Sequence, residues 1–304
     1  MVPCMNAYEL LAQLGFPNDV IDQVRGLKVY SHHVTKILVE DSDEMTAQWV
    51  RTLVENGDVA CRRWHASNAY TPVSVLAYLC EDQDAVVRHA CANNPSVEAD
   101  CLCTLARDVS LDVRAAVAQH QKTEPPVLDH LAGDHASRVR QGVASNIGTP
   151  ADTLARLAHD KDYGVRMHVA CNRSVRQQDL KMLAEDSDHL VRSYAGMNRT
   201  APSALLTRLA QDESIAVIRR VAQNAVCPQS LLSRLATHGD AVVRECVAGN
   251  AGTAVSDLVA LALDTEWSVR WGVALSRSTP METLLQLSND PHSTVRDSAG
   301  RRLS

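Results

Sequence analysis

The stretch VRQGVASNIGTPADTLARLAHDKDYGVRMHVACN, Val139 to Asn172, returns to its own opening before it ends. Val139-Arg140 begins it and Val165-Arg166 begins it again, followed at matching offsets by Val143 and Val169, Ala144 and Ala170, Asn146 and Asn172. Stepping by 26 from Arg62 reaches Arg88, Arg114, Arg140, Arg166, Arg192, Ile218, Arg244, Arg270 and Arg296. A second column is leucine every time, from Leu53 and Leu79 to Leu287, and three residues before it an apolar column runs from Val50 through Leu76 to Leu284. A fixed period without insertions marks a tandem array of one supersecondary unit.

Each unit divides into two short helices. In TPADTLARLAHD, Thr149 is the expected N-cap and Pro150 the expected first-turn residue, where a missing N–H costs nothing. Leu154, Leu157 and Ala158 then share one stripe, and in VRMHVACN so do Val165, Val169 and Ala170. Helices of three turns or fewer are marginal alone in water, so each depends on its neighbours in a stack. An inserted residue would rotate a stripe by about 100° and turn it out of the shared core.

Six residues before each column Arg stands Asp82, Asp108, Asp134, Asp160, Asp186, Asp212, Asp264 or Asp290, with Asn56 and His238 as exceptions. The spacing predicts a clamp across the turn that also bridges to the adjacent unit. Ile218 would leave Asp212 without its usual partner, with Arg219 as a substitute one position on. A column of Asn68, Asn94, Asn146, Asn172, Asn198, Asn224 and Asn250 reads as helix-end capping.

These residues resemble HEAT-like α-solenoid repeats and, more closely, the bacterial leucine-rich repeat variant family, whose units read much like VRQGVASNIGTPADTLARLAHD. The resemblance covers residues 45 to 304, about ten repeats. It implies an all-α solenoid, a right-handed superhelix of paired short helices. Residues 1 to 44 fall outside the period and are expected to form an N-terminal helical cap. One branch of the family holds an iron–sulfur cluster on closely spaced N-terminal cysteines. Here Cys4 alone precedes Cys61, so no cofactor carries over.

Composition narrows the function classes. Over the 304 residues the apolar share is 45%, with aromatics at 4%, so the core must be built from Leu, Val and Ala. Apolar runs such as Leu258 to Leu263 fall far short of a membrane span. The opening MVPCMNAYELLAQLGF has neither the basic start nor the apolar length of a signal peptide. Nine cysteines without framework spacing read as reduced thiols in a cytoplasm. Cys61, Cys80, Cys91, Cys101 and Cys103 are concentrated in neighbouring units and read as small core hydrophobes, with a metal or iron–sulfur site as the sharper alternative. His65, one turn after Cys61, reads likewise as a core histidine. A net charge of −6 opposes nucleic-acid binding or a HEAT-like base-repair activity, which call for a basic groove. No nucleophile elbow, phosphate loop or zinc-binding H-E-x-x-H is present, and no catalytic residue, cofactor site or metal site is assigned.

In a solenoid, repeating columns hold the stack and changing columns face outward. The two positions after each column Arg change most, and they carry Trp64, His89, Met167, His168, Tyr194, Arg219, Arg220 and Trp271. These residue types are enriched at binding hot spots. The expectation is a non-enzymatic scaffold that binds a protein or peptide along this stripe.

Overall fold

In a computed structural model, residues 58–304 are described, and they form 19 helices with no strand among them. The cap expected over residues 1–44, Cys4, and the first members of the columns, Val50, Leu53 and Asn56, lie outside the described residues. The chain divides into two compact units, residues 1–148 and 149–304.

The described part of the first unit alternates longer and shorter helices: α1 (Val59–Ser67), α2 (Val73–Leu79), α3 (Ala85–Ala92), α4 (Ala99–Leu105), α5 (Leu111–Gln119), α6 (Pro125–Leu131) and α7 (Ser137–Ser145). The second unit continues the alternation. It holds α8 (Ala151–Leu157), α9 (Tyr163–Cys171), α10 (Gln177–Leu183), α11 (His189–Met197), α12 (Ser203–Leu209), α13 (Ile215–Gln223) and α14 (Gln229–Leu235), followed by α15 (Ala241–Ala248), α16 (Val255–Leu261), α17 (Trp267–Leu275), α18 (Met281–Leu287) and α19 (Ser293–Leu303). The longer helices, which carry the Val-Arg motif, pack side by side: α1, α3, α5 and α7 in one unit, α9 through α19 at every second helix in the other.

The columns read from the sequence are the core. Leu76, Leu79, Leu102, Leu105, Leu128 and Leu131 are buried in the first unit, and Leu154, Leu157, Leu180, Leu183, Leu206 and Leu232 in the second. Val87, Val113 and Val139, and then Val165, Val191, Val217, Val243 and Val269, have no exposed surface. A fully buried leucine contributes roughly 1.5–3 kcal/mol. A seven-residue helix carries two of them, which explains why it folds only between neighbours.

The cap of the shorter helices differs from the expectation. Pro150 itself is the N-cap of α8, with extended ψ, as are Pro72, Pro202, Pro228 and Pro280 in their units. The threonine or equivalent residue before it turns back. Thr71, Thr123, Thr253 and Thr279 each donate their hydroxyl to the carbonyl six residues earlier, at 2.5–2.6 Å. The C-terminal carbonyls of the preceding helix need donors, and a buried hydroxyl supplies one. Five of the ten longer helices are capped by aspartate: Asp58, Asp84, Asp162, Asp188 and Asp240 accept N–H bonds from their first turns.

Two polar ladders join successive repeats. Seven column arginines pair with an Asp further along the chain, Nε to Oδ2 at 2.5–2.8 Å, in the pairs Arg62–Asp82, Arg88–Asp108, Arg114–Asp134, Arg166–Asp186, Arg192–Asp212, Arg244–Asp264 and Arg270–Asp290. The aspartate six residues before contributes its backbone carbonyl instead, as when Arg166 Nη1 donates to Asp160 O at 2.7 Å. Asp212 is therefore fully engaged by Arg192, contrary to the expectation that Ile218 orphans it. Burial raises the pKa of Asp186, but bonds from Arg166 and the Asp188 N–H, with the Arg166 and Arg192 charges, more than offset it and hold it below the usual carboxylate value. In the second ladder, Asn198 Nδ2 donates to Ala170 O and Asn172 O, and Asn224 and Asn250 repeat the pattern. Arg302, in the same column, donates to Ala274 O and Ser276 O.

Candidate functional site

The longer helices present a wall whose seams are set by the position two residues after the column Arg. That position is buried in Ala90 and Ala116 and is glycine at 142 and 272. A Cβ added to Gly142 would lie 2.9 Å from the Ala118 Cβ, and one added to Gly272 3.0 Å from the Ala248 Cβ. The seam there has no room for a side chain. In four consecutive longer helices of the second unit the same position carries His168, Tyr194, Arg220 and Cys246. Side chains of that size have to lean out over the seam, and all four are half-buried.

Tyr194, Arg220 and Cys246 are joined by contacts. The Arg220 guanidinium lies over the Tyr194 ring at 5.9 Å from its centroid, a cation–π geometry. Arg220 Nη1 also meets Met197 Sδ at 3.6 Å and Gln223 Oε1 at 3.4 Å, and Gln223 Nε2 reaches Cys246 Sγ at 3.3 Å. One connected network thus spans α11, α13 and α15. Burial lowers the His168 pKa, which keeps its ring neutral near pH 7. Burial also raises the Cys246 thiol, the opposite of what a reactive cysteine needs.

The eight candidate residues are all half-buried. Trp64 and His89 belong to the first unit, where Trp64 meets the His65 ring edge-on at 4.7 Å. The other six belong to the second. Trp271 donates Nε1–H to Ser298 Oγ at 3.1 Å, which ties it to α19. Arg219 is drawn aside to Asp240 at 3.5 Å. Met167 and His168 are neighbours on α9. Sequence variability alone overlooked Met197 and Gln223, which complete the network one turn beyond Tyr194 and Arg220.

The core reading of the clustered cysteines holds for two of the five: Cys61 and Cys101 are half-buried, and Cys103 is exposed, on the side of its short helix away from the core. Cys80 and Cys91 are buried. The Cys80 thiol is hydrogen-bonded to the Cys91 thiol, which together with burial raises its pKa far above the usual range. Burial pushes Cys101 up to about 12. Metal sites need thiolates, and among the described residues no group of three or more His, Cys, Asp or Glu is placed to hold a metal ion. No helix among them is long and apolar enough to cross a membrane.

The leucine rich repeat variant family model matches residues 138–162, the span of one repeat. A solved leucine-rich repeat variant with a novel repetitive structural motif is 26% identical, over 74% of this chain and 88% of its own, with a TM-score of 0.51. In one repeat the chain is similar in sequence to the leucine-rich repeat variant family, and over most of its length it is similar in fold to that solved variant. The likeness agrees with the stacked helix pairs and with the absence of strands among the described residues. A solved engineered protein is 18% identical over 88% of this chain and 98% of its own, at a TM-score of 0.35, too distant to carry an argument. No curated protein matches the chain.

Proposed function

We propose that this repeat array is a non-enzymatic scaffold that binds a protein or peptide on the wall of its second unit. The observation that supports it is the row His168, Tyr194 and Arg220, where large side chains of different chemistry occupy a position that is Ala, Gly or Ser at 90, 116, 142, 272 and 298. A position that packs well with a small residue does not require Tyr or Arg for stability. Tyr and Arg are also the residue types that concentrate interface energy, because they give large contact area at modest entropic cost. The Arg220–Tyr194–Met197 contacts hold these groups in place before a partner arrives, which lowers the ordering cost of binding.

The test is affinity isolation with the immobilised full chain beside a Tyr194→Ser/Arg220→Ser/Trp271→Ser variant, after circular dichroism has shown equal helicity. A partner retained by the parent and lost by the variant supports the reading. A partner held equally by both overturns this wall as the interface.

A further inference from the structure

Resting on that reading, the geometry points to the class of partner: we infer that the wall at the C-terminal ends of α9, α11 and α13 receives an extended acidic segment of another protein. Three stretches at the same place in successive repeats, 163–176, 189–202 and 215–228, contain no Asp or Glu, in a chain that has 36 acidic and 30 basic residues. They contain seven arginines. Four of these are committed within the fold: Arg166 to Asp186, Arg176 to Asp152, Arg192 to Asp212 and Arg219 to Asp240. Arg173 and Arg199 are exposed and make no ion pair or side-chain hydrogen bond among the described residues, and Arg220 meets only Tyr194, Met197 and Gln223. Three uncompensated guanidinium groups thus lie at one end of three neighbouring helices.

Their backbone is held rigidly. Asn198 immediately precedes Arg199, and its side chain donates to the carbonyl of Asn172, which immediately precedes Arg173. Ser174 N–H and Thr200 N–H close the two loops onto Asn172 and Asn198 at 2.9 and 2.8 Å. The loops that carry Arg173 and Arg199 are therefore bolted together one repeat apart. Packed helices are separated by about 8–10 Å, and an extended chain advances about 3.3 Å per residue. One repeat of the wall therefore matches three residues of an extended peptide. Carboxylates three residues apart meet Arg173 and Arg199, each in the two-pronged geometry that favours Arg over Lys, and Arg220 stands within the neighbouring helix to take a further one. Residues between them rest on the Tyr194 ring and the Met197 thioether.

A nucleic acid fits less well. The other ends of the same helices carry Asp162, Asp188 and Glu213, so a long polyanion would run from three guanidinium groups onto a row of carboxylates. A short acidic segment ends before that.

The test uses the full chain and three fluorescent probes: a twelve-residue peptide with glutamate at every third position among serines, a peptide of the same composition with its glutamates consecutive, and a twelve-nucleotide oligothymidylate. Polarisation titrations are expected to rank the spaced peptide first, on the order of tenfold over the block peptide, with a further tenfold loss in Arg173→Ala/Arg199→Ala. Both arginines are exposed, so the variant is expected to melt with the parent. Equal binding of the two peptides, no binding of the spaced peptide, indifference to the variant, or tighter arginine-dependent binding of oligothymidylate would each overturn the inference. The scaffold reading is tested separately. A protein partner lost on changing Tyr194, Arg220 and Trp271 but lacking an acidic segment would sink the acidic-partner claim and leave the scaffold intact.

Discussion

Ile218 and His238 stand at the two ends of one missing rung. In the pairs around them the column Arg reaches forward to the Asp of the following turn, as Arg192 binds Asp212 and Arg244 binds Asp264, so an arginine at 218 would have met residue 238. Both charges are absent together, so this rung leaves neither an arginine nor a carboxylate behind. His238 keeps the other duty of that position: its Nδ1 accepts the Asp240 N–H at 3.0 Å, where Asp212 Oδ1 accepts the Ser214 N–H at 2.8 Å. Its carbonyl still receives Arg244 Nη1 at 2.7 Å.

The rung can be transplanted. Arg166→Ile alone strands the half-buried Asp186, and Asp186→His alone strands Arg166; each is expected to cost about 3 kcal/mol, as when one member of a buried pair is removed. The double variant reproduces the 218/238 combination and is expected to cost at least about 1 kcal/mol less than the sum of the two. Urea midpoints for the four proteins close the cycle, and strict additivity would show that the pair is not coupled.

The asparagine ladder predicts a graded series at one position. Asn224 is buried, donates to Gly196 O and Asn198 O, and accepts the Val226 N–H. Asn224→Ala leaves those groups without partners and is expected to cost about 2–3 kcal/mol. Asn224→His is expected to recover part of this. His120, at the equivalent position, accepts the Lys122 N–H and reaches Asn94 O with its other ring nitrogen, both at 3.1 Å. Melting temperatures ordered parent, His, Ala are the expected outcome.

His65 makes the fold sensitive to acid. It is buried where other repeats have Val117 or Val143, its Nδ1 has no partner among the described residues, and burial lowers its pKa from 6.5 to about 4. The unfolded chain takes up this proton first as pH falls through 6.5, while the folded chain refuses it until about pH 4. Stability is complete above 6.5, declines by roughly 3 kcal/mol across that window, and loses nothing more from this group below it. His120 and His168 shift in the same direction, so the parent's slope is shared. His65→Val is expected to flatten it between pH 6.5 and 4, read as the difference in melting temperature between variant and parent at each pH.

Two glycines in the wall helices should respond oppositely to the same substitution. Gly272→Ala drives a methyl group to 3.0 Å from the Ala248 Cβ and is expected to destabilise by about 1–3 kcal/mol. Gly300 lies within α19 with nothing within 4 Å of an added Cβ, so Gly300→Ala should gain up to about 1 kcal/mol from helix propensity. Thermal melts of both variants give the signs directly.

Much of the fold is legible in the sequence because every repeated contact leaves a column. Leu154, Leu157, Val165 and Val169 are assigned to the core by period alone, and they are buried. The partner of Arg166 is not legible, for an arithmetical reason. Asp160, one turn behind, and Asp186, one repeat further on, belong to the same column, and a strict period cannot tell them apart. The Asn ladder is half legible, as capping, because its acceptors are backbone carbonyls, which carry no side-chain signature. The wall reads in the sequence as a face of changing residues. Its geometry shows a seam closed by Ala90, Ala116, Gly142 and Gly272, with four large side chains leaning over it in the second unit. What distinguishes those four is the size their position can accommodate, and size limits come from the adjacent helix.

The forward reach of Arg166 to Asp186 and the backward reach of Asn198 to Asn172 recur in most of the described repeats, which therefore share the same socket ahead and the same plug behind. A gene that duplicated or dropped one repeat-length block of codons would encode a protein whose joints still match at the new junction. Loss or gain of a single codon would misalign both joints at once. Such a molecule can change length in whole steps through recombination, each product foldable as it arises.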